Sequence, residues 1–437
     1  MSKKGGKKVL VVGSGAREDA LAWALGRSTD VEKVYIAPGN AGTGRRINAK
    51  NVGIDASDVK HLVNLVQEKD VSLTVVGPEG PLYGRIADVF REHGLPIIGP
   101  TYAASEIERS KKFMHTVAEE AGVAAARYVT LSKYSEAREY VKKHGPLLVI
   151  KKVGPASGKG VVVTHTHSDA KETLRRFMEK KAATKHKPHP IIVEERLFGT
   201  ELSGCAVCDG SNHVSWPFAQ DHKQIAEDGK DGNNESAMTG GMGAIAPVPG
   251  ISAMAAREAD EIIGKFLRTL DTWGRNFTGW LYPGFMLGAD RLKVLEVNAR
   301  LGDPEAQVYM RLLKTPLLDI LEACVNQTLG NLAIEWLPGF AVNIVLVSGG
   351  YPGKYQTGYP ISGIEEAEKV PGVIVFHGGT KVAGERLVTA GGRVLGVSAV
   401  GSTLKEALDC AYQAVGLIRF KDMYYRRDIG AKALALV

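Results

Sequence analysis

Cysteine is scarce: four residues in a chain of 437, too few for a disulfide framework. Cys205 and Cys208 form a lone C-x-x-C with no second pair and no matching His-x-x-His. Leu202–Cys208 reads as a strand, where positions i and i+3 face opposite ways, so buried structural thiols are expected in a reducing compartment. Long hydrophobic runs are missing as well. The best candidate, Ala341–Val347, has the length of a strand rather than of a membrane span. Val9-Leu10-Val11-Val12 stops at Gly13, too short for a secretory core. These features predict a cytoplasmic chain with no membrane partner. Nor does one sign of charge dominate. Of the formal +7, four charges are Lys3, Lys4, Lys7 and Lys8, leaving 7 − 4 = +3 for the body, so no nucleic-acid partner is expected. Nineteen prolines and no G-X-Y period exclude collagen-like and Pro-rich classes.

Glycine, by contrast, is abundant: 51 residues, about 12% against roughly 7% in average proteins. The length suggests about three domains. Residues 8–12 form an apolar run ending in glycine, the pattern of a buried parallel strand. Helical segments at 19–25, 59–68 and 85–92 alternate with strands at 33–36, 73–76 and 96–98, predicting a doubly wound parallel sheet over about residues 1–105. Helices follow at 111–121 and 137–143, then strands at 147–151 and 161–164 around a Gly-rich turn. From 191 to about 316, strands alternate with glycine clusters. The tail, with strands at 340–347, 373–376 and 393–400 and a helix at 404–418, reads as a small α+β domain. The basic, Pro-containing stretch 180–189 reads as an exposed loop.

Gly13-Ser-Gly15-Ala-Arg17-Glu18 begins like a dinucleotide fingerprint, but Glu18 replaces the third glycine and no acidic residue ends the second strand. What survives is either a tight turn or an anion site, made by backbone N–H groups at a helix N-terminus with Arg17 beside them. Gly154-Pro-Ala-Ser-Gly158-Lys159-Gly160 is not a P-loop, since three residues rather than four separate its glycines. A Gly-rich turn between strands can still cover a polyphosphate, with Lys159 and Lys151 meeting the charge. In Lys293-Val-Leu-Glu296-Val-Asn298-Ala-Arg300, a strand puts Glu296, Asn298 and Arg300 on one face. A carboxylate and an amide oxygen suit Mg²⁺, and Arg300 suits a carboxylate or phosphate; the bland alternative is a polar-out strand. The following Gly302-Asp303-Pro304-Glu305 turn favours function. Thr239-Gly240-Gly241-Met242-Gly243 and Gln220-Asp221-His222-Lys223 complete the set; each alone could be a plain loop.

In order and over essentially the whole chain, these segments resemble the phosphoribosylamine–glycine ligase (glycinamide ribonucleotide synthetase) family, ATP-grasp enzymes of purine biosynthesis. The resemblance also rests on Ala37–Thr43, Gly77-Pro78-Glu79, Gly99-Pro100-Thr101, Ser110–Phe113, Gly350–Gly353, His377–Thr380 and Gly391–Val394. It implies an α/β and α+β chain. The units would be an N-terminal α/β substrate-binding domain (1–105), an ATP-grasp lid subdomain with its preceding linker helix (106–195), an ATP-grasp core (196–328) and a small C-terminal α+β domain (329–437).

The resemblance further implies ATP and Mg²⁺ (or Mn²⁺) as cofactors, and glycine and 5-phosphoribosylamine as small-molecule partners of a monomer or small homo-oligomer. Lys111, Lys151, Gly158, Lys159 and Gly160 would face phosphates. Glu194, Glu195 and Leu197 would hold adenine, with Glu201 near the nucleotide, and Glu296 and Asn298 would hold the metal. Gly15, Arg17, Glu18, Asn40, Glu79, Gly241 and Met242 would bind substrate, and Arg300, Lys159 and Asp221 would act in catalysis. Three departures stand out. Asp19 replaces the family's usual His, and is expected to point away from a phosphate or to pair with a cation such as Arg17. The lid carries Lys152, Val153 and Pro155. The stretch Asp231–Met238 is longer than usual. They leave open a related ligase for another carboxylate or amine, and a nucleotide-binding protein without turnover.

Overall fold

The computed structural model describes residues 6–154, 160–178, 190–226, 237–289 and 291–436. Pro155, Gly158 and Lys159 of the Gly-rich turn, the basic stretch 180–189 and Asp231–Ser236 lie outside them.

The apolar run at the start becomes β1 (Lys7–Gly13), followed by α1 (Ala16–Gly26), β2 (Val31–Pro38), β3 (Ala49–Asn51), α2 (Val59–Lys69), β4 (Leu73–Val76), α3 (Glu79–Tyr83), α4 (Ile86–Glu92) and β5 (Ile97–Ile98). The five strands form one parallel sheet in the order β3-β2-β1-β4-β5, the doubly wound arrangement expected. Both faces are covered, which is why Val9 to Val12 read as a continuous apolar run: all four are fully buried.

A linker pair, α5 (Glu106–Arg109) and α6 (Lys111–Glu120), leads to β6 (Tyr128–Leu131), α7 (Tyr134–His144), β7 (Leu148–Lys152), β8 (Val161–Val163), α8 (His167–Met178) and β9 (Ile191–Glu195). These strands make a four-stranded antiparallel sheet, β6-β9-β7-β8, with its own apolar cluster of Ile150, Leu174, Phe177 and Val193 among others.

The core subdomain carries β10 (Thr200–Ser203), β11 (Ala206–Asp209), β12 (His213–Ser215), β13 (Gln220–Asp221), β14 (Gly243–Ala246), α9 (Ala253–Thr272), β15 (Thr278–Leu287), β16 (Leu292–Asn298), α10 (Glu305–Leu312) and α11 (Leu317–Val325). The single strand expected over Leu202–Cys208 is two, β10 and β11, which pair with the same strand β15 in one continuing register on either side of Gly204 and Cys205. Cys205 and Cys208 are both buried, and burial pushes both thiols up. The 20-residue α9 falls in a stretch that reads only as strands and glycine clusters. Its signal is present nonetheless: Ser252 caps the helix by accepting from the N–H of Ala255, and Ala255, Ala259, Ile262, Ile263, Phe266 and Leu270 line the buried face at helical spacing.

The tail adds β17 (Phe340–Val347), α12 (Ile364–Ala367), β18 (Val373–His377), the hairpin β19 (Thr380–Ala383) and β20 (Arg386–Thr389), β21 (Arg393–Gly401), α13 (Leu404–Val415) and α14 (Ala431–Leu434). Its main sheet does not stop at the tail. The order β13-β14-β17-β21-β18 runs two core strands and three tail strands in one hydrogen-bonded layer. No helix among the described residues is long and apolar enough to cross a membrane.

Candidate active site

The site grows from an irregularity in β16. Pro283 pairs with Val297 and Gly284 with Glu296, but Phe285 pairs with Val294, leaving Leu295 as an extra residue. This β-bulge shifts the alternation by one. Val294 and Val297 can therefore both face the core, while Glu296 and Asn298 face a cavity of about 620 Å³. The carbonyl of Leu295 accepts a 2.9 Å hydrogen bond from Lys151 Nζ.

Three lysines reach that cavity: Lys111, Lys151 and Lys223. Lys151, near the end of β7, is buried, and its ammonium lies 2.7 Å from Glu194 Oε2. Glu194 is itself buried and also bonds His115 Nε2 at 3.1 Å. Burial opposes its ionisation, but Lys151 and His115 outweigh burial and hold its carboxyl below the usual range. Lys111 opens α6, and burial lowers its pKa although Glu296 works against that. Glu296 is held well below the usual carboxylate range, chiefly by Lys223 and, against the cost of burial, by Lys151 and Lys111. The metal candidate is thus an ionised oxygen ligand. Gly160, Glu195, Leu197 and Glu201 also line the cavity. Glu195 is fixed by Arg127 at 2.8 Å and Lys293 at 3.2 Å, which ties the end of β9 to the core.

At the other end stand Arg17, Glu79, Asp221 and Arg300. Arg300 donates to Asn298 Oδ1 at 3.1 Å and pairs with Glu108 at 3.0 Å and Glu79 at 3.6 Å. Glu108 has no motif to announce it; only its helical place before Lys111 hints at it. Asp221 has an oxygen, Oδ1, that is buried without a hydrogen-bond partner among the described residues. Burial and the neighbouring Glu305 push its pKa up. Glu305 is engaged by Ser203 Oγ at 3.1 Å and by the Tyr282 hydroxyl. Gly241 lies against Asp221 with φ of +114°; a Cβ there would stand 2.3 Å from Pro304 and 2.7 Å from Asp221 Oδ1.

Gly15 and Asn40 line a second cavity of about 310 Å³, with Gly378 and Gly379 opposite; Asp303 and Arg393, paired at 3.1 Å, line both cavities. Arg393 belongs to the tail; the sequence places it in the Gly391–Val394 segment of the resemblance but gives it no role of its own. Asn40 donates to the carbonyls of Ser14 at 2.9 Å and His377 at 2.7 Å.

Three substrate candidates, Gly241, Glu18 and Met242, line neither cavity. Glu18 sits beneath the loop, accepting from the Gly15 N–H at 2.5 Å and from Arg17 Nε at 2.6 Å. A Cβ at Gly77 would meet its carboxylate at 2.0 Å, so the glycine makes room for Glu18 rather than for a ligand. Met242 is fully buried with Val345 and Val347, and its N–H and carbonyl bond His222 and Val345. Gly158 and Lys159 fall outside the described residues.

Asp19 pairs with a cation, as expected, but not with the one named. Its partner is not Arg17, which bonds Glu18 and the carbonyl of Leu301, but Arg46, at 2.7 and 2.6 Å. Asp19 also accepts from the His377 N–H at 2.7 Å. It lines neither cavity.

A doubly wound domain, a four-stranded antiparallel sheet and a core sheet that together present lysines, a Glu-x-Asn strand and an arginine to one cavity define an ATP-grasp enzyme. Sequence profiles of phosphoribosylglycinamide synthetase match three stretches: the N domain at residues 7–108, the ATP-grasp (A) domain at 109–306 and the C domain at 341–432. The chain belongs to the phosphoribosylglycinamide synthetase family. It is 42% identical over 432 residues to a phosphoribosylamine–glycine ligase of Chlorobaculum tepidum, covering 98% of this chain and all of that protein. Identity to the Vibrio cholerae ligase is 39% over 430 residues, with 98% and 99% covered. The crystal structure of the Thermotoga maritima ligase superposes with a TM-score of 0.81 at 30% identity, covering 97% of this chain and 100% of that one.

Proposed function

We infer that the chain joins glycine to 5-phosphoribosylamine at the expense of ATP, giving glycinamide ribonucleotide, ADP and phosphate, as a cytoplasmic step of purine biosynthesis. The observation that carries this reading is the single cavity in which Lys111, Lys151, Glu296, Asn298, Arg17 and Arg300 meet. A glycine carboxylate oxygen attacks the γ-phosphorus and ADP leaves. The sugar amine then adds to the carbonyl carbon of glycyl phosphate, loses a proton, and phosphate departs.

No side chain forms a covalent bond in this scheme, so the residues position reactants and neutralise charge. Lys111 and Lys151 meet the phosphates. Arg300, already seated between Glu79 and Glu108, presents its remaining donors to the acyl group. Asp221, whose pKa burial and the neighbouring Glu305 carboxylate push up, would exchange the proton that the amine loses. Glu296 and Asn298 fit a magnesium or manganese ion, since both offer oxygen to the cavity and Glu296 is ionised. Such an ion neutralises phosphate charge when bound. Gly15, Asn40 and the adjoining second cavity, at the N-terminal end of α1, suit the sugar phosphate. Asp19 lies outside both cavities and gives no reason to expect another acceptor.

The test is ADP release with MgATP, glycine and phosphoribosylamine, omitting each in turn. Release is expected only with all three; release indifferent to glycine or to the amine refutes the reading.

A further inference from the structure

We propose that Lys223 is the resident counter-cation of the metal-binding carboxylate, and that a divalent cation reaches Glu296 by displacing it. The inference rests on the reading of Glu296 and Asn298 as metal ligands, and it gives a role to a lysine that the family resemblance leaves without one. Lys223 Nζ stands 2.9 Å from Glu201 Oε1 and 3.0 Å from Glu296 Oε1. The two carboxylates arrive on different strands, β10 and β16, which pair with β15. Between them lies Gly284, whose Cβ would approach Glu296 Cγ at 3.4 Å and Lys223 Nζ at 4.0 Å, so the absent side chain leaves room for the ammonium. The backbone at Lys223 is fixed, its carbonyl accepting from both the N–H and the hydroxyl of Thr239 at 2.8 Å.

An ion of Mg²⁺ type binds a carboxylate oxygen at about 2.1 Å. With Lys223 still on the same oxygen, two cations would stand within roughly 5 Å of each other in a partly buried site, a repulsive arrangement. One must leave Glu296. Lys223 keeps Glu201 as its partner, and its freed N–H donors turn to an anion in the cavity. Metal loading is thereby tied to the arrival of phosphate: the nucleotide supplies acceptors for the displaced ammonium while the ion takes the carboxylate. Without Lys223, the carboxylates of Glu201, Glu296 and Asp221 would lose the cation that acts on all three.

The experiment is a Mn²⁺ titration of the full chain without nucleotide, following the EPR signal of free Mn²⁺. Wild type is compared with Lys223→Met, Lys223→Gln, Lys111→Met and Glu296→Ala. Lys223→Met and Lys223→Gln are expected to bind Mn²⁺ at least about 10-fold more tightly than wild type, and Lys111→Met to stay within about 3-fold, because Lys111 feels Glu296 only at a distance. The glutamine variant carries the test if methionine prevents folding, since it keeps donors without charge. Unchanged or weaker binding in the Lys223 variants, or an equal gain in Lys111→Met, overturns the inference while leaving the metal reading intact. Undiminished Mn²⁺ binding in Glu296→Ala overturns both.

Discussion

Replacing Arg46 by methionine isolates the contact that joins α1 to β18. Asp19 is fully buried, and the Arg46 side chain is only 13% exposed. The guanidinium meets both carboxylate oxygens, at 2.7 and 2.6 Å, donates to the Val375 carbonyl at 2.7 Å, and lies over the Phe376 ring. Methionine fills similar space but leaves the Asp19 carboxylate held by the His377 N–H without a cation against it. Opposite charges about 4 Å apart attract by roughly 4 kcal/mol at an effective dielectric near 20. Breaking one half of such a buried pair costs about 3–5 kcal/mol. Urea unfolding reads this directly, and Trp23, packed edge-on against Phe376 at 6.0 Å, is a fluorescent reporter at the junction. The double variant Asp19→Asn/Arg46→Met is expected to recover at least half of the loss, because no charge is then left unpaired. A loss below about 1 kcal/mol in the single variant, or simple additivity in the double one, refutes the reasoning.

Other outcomes follow from individual contacts. Glu296→Ala is expected to abolish turnover in the omission assay; activity within a few-fold of wild type contradicts the metal assignment. Lys151→Met removes the partner of Glu194 and the tie to Leu295, so the KM for ATP is expected to rise about 10-fold or more with the chain still folded by circular dichroism. In Gly241→Ala the new methyl must displace Pro304 or Asp221 at a left-handed φ, and kcat is expected to fall at least about 10-fold, measured under saturating substrates. His377 is held at a pKa of about 4, by burial first and by Arg46 and Arg45 against the pull of Asp19, below an ordinary value of 6.5. The unfolded chain therefore binds the extra proton between those values. The stability from neutral His377 is complete above pH 6.5 and declines by about 3 kcal/mol as pH falls to 4. His377→Gln should lack that part of the acid limb in urea titrations at fixed pH; an unchanged limb contradicts the assignment.

The N-terminal sheet was legible because a two-sided parallel strand must be apolar throughout, and Val9–Val12 obey that rule. The helix Ala253–Thr272 was harder to see among glycines, although its cap and stripe are both in the sequence. At the site, local spacing reveals Glu296, Asn298 and Arg300, since one strand carries all three. It cannot reveal the bulge at Leu295, which depends on the register against Gly284 and Phe285. Glu108, Lys223 and Arg393 reach the cavity from three distant parts of the chain, and only tertiary packing brings them together. Glu18 and Met242 show the reverse: they stand inside motifs yet support the backbone. Asp19 was expected to need a cation, but residue 46 is too far along the chain for spacing to nominate it.

The layer formed by β13, β14, β17, β21 and β18 bears on how the molecule can be taken apart. A chain cut after residue 328 would leave β14 without the Phe340–Val347 strand that satisfies its outer N–H and carbonyl groups. An uncovered edge of that kind invites pairing with other molecules. The three tail strands, released alone, would carry the matching open edge along β17. The two fragments are therefore complementary halves of one folding unit, expected to aggregate apart and to reassociate when mixed, as a split protein does.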